Sequence, residues 1–116
     1  MSDIAVVVGV GASDGLGAAL CRRFAKGGMK VVVAGRTQEK IDVIAQEIVS
    51  TGGAAVAKAG DVTKAADMNA LFDFAAGEGN VKAVLYNAGN NALIPFADLT
   101  EEVFEEFWRV GCLGGF

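Results

Sequence analysis

The sequence predicts an α/β protein: a doubly wound parallel sheet of about four strands, in the order 3-2-1-4. Short β-branched or small apolar runs alternate with ten-to-fifteen-residue stretches of helical periodicity. Glycines mark most of the boundaries between them, 16 in all against a single proline, and 53% of the residues are hydrophobic. Strands that alternate with helices are joined by right-handed crossovers, which put helices on both faces of a parallel sheet.

The elements follow in order. Residues 4–8 (Ile4 to Val8) form an unbroken apolar run ending in glycine, the pattern of a strand covered on both faces. From Gly15 to Lys26, Leu16, Leu20 and Phe24 recur every four positions, with Arg22, Arg23 and Lys26 toward the end and Gly27-Gly28 as the stop. Asp14 is a candidate cap for this helix. Lys30 to Ala34 is the second strand. The helix from Gln38 to about Ser50 stacks Ile41, Ile44, Ala45 and Ile48 on one face before Gly52-Gly53. Ala54 to Ala59 makes a weaker third strand, and Lys64 to Ala76 a helix with Met68, Leu71, Phe72 and Ala75 turned inward. Val81 to Tyr86 is the fourth strand. A last helix starts after Thr100, a suitable N-cap ahead of Glu101, Glu102 and Glu105, and runs into the C-terminus. The 116 residues are the size of one domain.

Composition excludes several classes of function. A net charge of −4 offers no basic surface for nucleic acid, so any anionic ligand has to be held locally. With no histidine, and with Cys21 and Cys112 far apart, there is no metal-ligand spacing and no Cys-His nucleophile. Both cysteines read as reduced residues packed as small hydrophobes in a cytoplasmic protein. The apolar start from Ile4 to Ala12 is too short and too rich in glycine to span a membrane, and lacks the basic flank of a signal peptide.

Four segments carry the functional signal. The first strand turns into the first helix through Gly9-Val10-Gly11-Ala12-Ser13-Asp14-Gly15-Leu16-Gly17. Glycines there let the backbone turn tightly and approach a pyrophosphate, which meets free amides at the helix start. The ending of a P-loop is missing, and position 14 of a Gly-x-Gly-x-x-Gly pattern is Asp14, a carboxylate that must point away from a phosphate. Ala34-Gly35-Arg36-Thr37 ends the second strand. An acid there would bind the ribose hydroxyls of NAD, whereas the fork of Arg36 suits the 2′-phosphate of NADP. Gly60-Asp61-Val62-Thr63 follows the third strand and Tyr86-Asn87-Ala88-Gly89 the fourth. All four lie at C-terminal ends of strands, where an open α/β sheet binds its ligand.

The spacing Gly11-x-x-x-Gly15-x-Gly17, with Asp61-Val62 and Asn87-Ala88-Gly89 at family-like intervals, resembles the short-chain dehydrogenase/reductases, a family with the Rossmann-type fold. Val10 stands where that family usually has threonine, and Tyr86 where it has the first asparagine of Asn-Asn-Ala-Gly. The resemblance implies one NAD(P)-binding domain over residues 1–116, incomplete relative to the family. It implies a dinucleotide site made of Gly11, Ser13, Gly15, Leu16, Gly17, Arg36, Thr37, Asp61, Val62, Asn87, Ala88 and Gly89, with NADP preferred and NAD possible. Aligned on Gly114 and Phe116, the family's catalytic asparagine falls at Gly111, and its Ser and Tyr-x-x-x-Lys would come after residue 116. No catalytic residue is therefore assigned, and these residues by themselves are expected not to turn over an alcohol or ketone. Three readings stay open: the cofactor-binding part of an oxidoreductase, a non-catalytic sensor or subunit, and a scaffold. Phe104, Phe107, Trp108, Val110, Leu113 and Phe116 crowd the last segment, so self-association through the last helix or an open sheet edge is expected.

Overall fold

The structure is a computed structural model that describes residues 2–89 and 93–116. Strands β1 (Asp3–Val8), β2 (Lys30–Gly35), β3 (Ala54–Ala59) and β4 (Asn80–Tyr86) form one parallel sheet in the order β3-β2-β1-β4. Helices α1 (Leu16–Lys26), α2 (Gln38–Ser50) and α3 (Ala65–Glu78) make the three crossovers. A short 3-10 turn at Phe96–Asp98, helix α4 (Glu101–Trp108) and a π-type turn at Arg109–Leu113 follow β4.

Alternation of side chains along the central strands builds two cores. Val7, Val31 and Val33 point to one face and pack with Ala18 and Cys21 of α1 and with Ile41, Ile44, Ala45 and Ile48 of α2. Ile4, Val6, Val8, Val32 and Ala34 point to the other and pack with Leu71 and Ala75 of α3. The β-branched runs of β1 and β2 are thus covered on both sides, and the inward stripe expected of α2 is the one found.

Four expectations are corrected. Leu16 is 65% exposed, and α1 instead buries Gly17, Ala18 and Cys21, Gly17 where the helix lies on the turn after β1, while Leu20 and Phe24 are half-buried against the same core. Phe72 is exposed, while Phe74 is half-buried against the α3 core. Cys21 is buried but Cys112 is exposed, so only one cysteine serves as core. The N-cap of α1 is Gly15 with no side-chain cap, so Asp14 does not fill that role. Thr100 does cap α4, its Oγ1 accepting from the Val103 amide at 3.2 Å, but the α-helix ends at Trp108 and widens into the π-type turn. No described helix is long and apolar enough to cross a membrane.

Candidate functional site

The four motif segments meet at the C-terminal edge of the sheet, around a cavity of about 560 Å³. That size suits a small-molecule ligand. Its walls include Gly9, Val10 and Gly11 after β1, Gly35, Arg36 and Thr37 after β2, Gly60 to Thr63 after β3, and Asn87, Ala88 and Gly89 after β4.

The turn after β1 is shaped by close approaches. Gly9 has φ +96°, a left-handed conformation that side chains resist, and a Cβ there would collide with the backbone at Asn87 and Ala88. The amides of Gly9 and Val10 both donate to the Ala34 carbonyl, at 3.0 and 2.9 Å, and tie the ends of β1 and β2 together. Asn87 joins β4 to the same turn. Its amide donates to Val8 O at 2.8 Å and its Nδ2 to Gly9 O at 3.4 Å. A Cβ on Gly17 would stand 2.8 Å from Gly9 O, so this glycine lets α1 sit directly on the turn. Gly11 differs: it lines the cavity, yet a Cβ there would meet no protein atom within 4 Å. Ser13, Gly15, Leu16 and Gly17 complete the turn and the first residues of α1 without lining the cavity. Among the described residues the amides of Gly11, Ala12, Ser13, Asp14, Leu16 and Gly17 make no backbone hydrogen bond. They are free to meet an anion at the helix start.

On the second wall Arg36 is exposed, and among the described residues its guanidinium has no hydrogen-bond or ion-pair partner. Thr37 is the N-cap residue of α2 by its backbone, with no side-chain cap, and Lys40 joins it on the cavity wall. Asp61 is fixed by its own loop, Oδ1 accepting from Thr63 Oγ1 at 2.7 Å and from the Thr63 amide at 2.9 Å. These two bonds hold its carboxyl below the usual range, with smaller help from the charges of Lys64 and Arg36. The Asp61 amide is occupied by Asp67 Oδ2 at 2.9 Å.

The wall on the β4 side is completed by Glu102, Glu105, Glu106, Arg109 and Val110 of the last helix and turn. Arg109 pairs with Glu105 at 3.1 Å. Tyr86, at the end of β4, donates its hydroxyl to the Val110 carbonyl and so anchors that turn to the sheet. Burial raises the Tyr86 phenol above its ordinary value. Gly114 lies against the same hydroxyl, where a Cβ would collide with it. Gly111 is exposed, off the cavity wall, and faces open space. No cluster of metal-binding side chains occurs among the described residues.

The family model for short chain dehydrogenases matches residues 5–116. The chain belongs to this family. An uncharacterized oxidoreductase of Listeria monocytogenes is 34% identical over 110 residues, covering 94% of this chain and 44% of that protein. Among solved structures, a variant of actinorhodin polyketide ketoreductase with NADPH superposes with a TM-score of 0.91 at 27% identity, covering 99% of this chain and 44% of that one. A metagenomic short-chain oxidoreductase in complex with NADP gives 0.87 at 28% identity, covering 97% and 51%. The chain therefore spans about half the length, or a little less, of the family members it matches.

Lys40 and Lys58 also line the cavity, and sequence reasoning assigned neither. Lys40 could have been found one helical turn after Arg36. Lys58 could have been found from strand parity, which puts it on the α3 face with Val56; its ammonium stands 5.8 Å from the Phe74 ring. Gly35 was part of a quoted segment, but the collision a Cβ would make there with the Val10 carbonyl is visible only in three dimensions.

Proposed function

We propose that this chain forms the NADP(H)-binding part of a short-chain oxidoreductase. The observation that carries the reading is the pairing, at one edge of the sheet, of a glycine turn rich in free amides, whose Gly11 lines the cavity, with an Arg36 fork on the cavity wall that has no partner among the described residues. Gly11 supports the fit, since packing does not require a glycine there, whereas close approach of a pyrophosphate does. Gly11, Ser13, Leu16 and Gly17 would receive the pyrophosphate on backbone amides and the Ser13 hydroxyl, while Gly15, its amide closing the turn on the Ala12 carbonyl, would let the backbone come close. Arg36 and Thr37 would take the 2′-phosphate, with Lys40 adding charge. Asp61 and Val62 would border the adenine, and Asn87, Ala88 and Gly89 the ribose beyond the pyrophosphate. When bound, the cofactor supplies hydride exchange with a carbonyl or alcohol.

NADP(H) is favoured over NAD(H) because no carboxylate occupies the end of β2. One charge-assisted contact is worth roughly 1.5–3 kcal/mol, so the preference should be about tenfold to a hundredfold. Calorimetric titration of NADP+ and NAD+ tests this directly. Arg36→Glu should abolish the difference, and equal affinities in the unaltered protein would refute the assignment.

A further inference from the structure

We infer that Arg22 is a positioning residue for the pyrophosphate, acting through Ser13; the inference rests on the dinucleotide reading above. Arg22 lies in the second turn of α1, and its guanidinium folds back over the glycine-rich turn. Nη1 donates to the Ser13 carbonyl at 2.9 Å and Nη2 to Ser13 Oγ at 2.7 Å. Glu47 of α2 holds the fork from the other side, accepting from Nε at 2.7 Å. One cation thus bridges the tip of the turn and a residue of α2 that lies 25 positions further along the chain.

Two consequences bear on an anion. In a trans peptide the carbonyl and the following N–H point in opposite directions, so fixing the Ser13 carbonyl toward Arg22 aims the Asp14 N–H away from it. That amide makes no backbone hydrogen bond among the described residues. The Ser13 hydroxyl, with Oγ already accepting from a cation, has its proton left to donate. The tip is otherwise weakly held. Apart from the Gly15 amide to Ala12 carbonyl bond at 3.0 Å that closes the turn, Ser13 and Asp14 are exposed. Arg22 also places a positive charge on Ser13, the residue before Asp14, whose carboxylate would repel a phosphate. The Arg22 and Glu47 side chains are 37% and 45% exposed, and pairs of that kind add little to stability. A merely structural Arg22 would therefore show small and ligand-independent effects.

The test compares two ligands on the full chain: NADP+, which carries the pyrophosphate, and adenosine 2′-monophosphate, which lacks it. Arg22→Gln should weaken NADP+ on the order of tenfold and leave adenosine 2′-monophosphate unchanged. Arg22→Lys should restore only part of the loss, because an ammonium cannot hold both Ser13 oxygens and Glu47 together. In a Ser13→Ala background Arg22→Gln should cost less NADP+ affinity than in the unaltered protein, because the hydroxyl that Arg22 orients is gone. Unchanged NADP+ affinity in Arg22→Gln, or equal losses for both ligands, would overturn the inference while the Arg36→Glu result still upholds the dinucleotide reading. If Arg22→Gln does not fold, Glu47→Gln decides: a loss confined to NADP+ supports the inference and no loss overturns it. Failure of the unaltered protein to bind either ligand would overturn the dinucleotide reading and this inference with it.

Discussion

Replacing Gly11 and Gly17 by alanine separates a glycine kept for a ligand from one kept for packing. At Gly17 the new Cβ would lie 2.8 Å from Gly9 O and 3.0 Å from Val10 Cα. Both are backbone, so α1 must move off the turn, an overpacking cost of about 1–3 kcal/mol. At Gly11 the Cβ meets nothing within 4 Å, and the residue is not among the glycines with positive φ. Folding should accept alanine there, and the reduced freedom of the unfolded chain should make it neutral to stabilising by about 0.4–1 kcal/mol. The same methyl would occupy the space a pyrophosphate needs, so NADP+ affinity should fall by at least about tenfold, or roughly 1.4 kcal/mol. Thermal unfolding and calorimetric titration of the two variants give both numbers. Gly11→Ala should lose binding at full stability, and Gly17→Ala should lose stability first. A Gly11→Ala protein with unaltered affinity would show that no ligand presses against this turn.

Other outcomes follow from the same geometry. A thiol reagent should label exposed Cys112 in the native protein and reach Cys21 only on unfolding. Burial pushes the Cys21 thiol from 9.0 up to about 12, so the stability gained by keeping it neutral is complete below about pH 9 and drains away as pH rises toward 12; Cys21→Ala should flatten that alkaline loss. Thr63→Val removes one of two bonds to Asp61, so the Asp61 carboxyl, followed by NMR, should titrate closer to its ordinary 3.8. Because the folded value is the depressed one, the stabilisation exists above the ordinary value and is lost as pH falls through the folded one. Phe104 and Trp108 on α4 are 63% and 45% exposed, and we expect the chain to self-associate there. Light scattering at micromolar concentration should report an oligomer that Phe104→Glu with Trp108→Glu breaks into monomers, and a monomer before substitution would contradict the expectation.

The fold was legible wherever burial is two-sided or helical spacing is filled by large side chains. β1 and β2 are nearly continuous valine and isoleucine because both faces are covered, and α2 shows its contact stripe as Ile41, Ile44 and Ile48. Alternation with helices was enough to make the sheet parallel, and the order β3-β2-β1-β4 is the one expected of a Rossmann-type fold. α1 misleads for a physical reason. Its fully buried residues are Gly17, Ala18 and Cys21, since a helix lying on a tight backbone turn must present small residues there, and the large apolar spacing finds Leu20 and Phe24 at the edge of the core but also exposed Leu16. In α3 the periodicity finds the centre of the stripe at Leu71 and Ala75 but not which flank is covered; Phe74 is the flank turned toward β3, where Lys58 stands over the ring.

The site was legible for a different reason. Parallel crossovers bring every strand's C-terminal end to one edge, so four segments spread over about eighty residues of sequence converge without any information on side chains. What topology cannot carry is how those segments constrain one another. The Ala34 carbonyl receives two amides of the first turn, Asn87 reaches Gly9, and Gly35 must lack a side chain because the Val10 carbonyl occupies its place. None of these leaves a periodic trace, because each partner is backbone or a single side chain. Arg22 is the clearest instance: in the sequence it reads as a favourable charge toward the end of α1, a role any cation there could play. In three dimensions its fork is committed to both oxygens of Ser13 and to Glu47, so the residue whose loss should most change the turn looks, in one dimension, interchangeable with its neighbour Arg23.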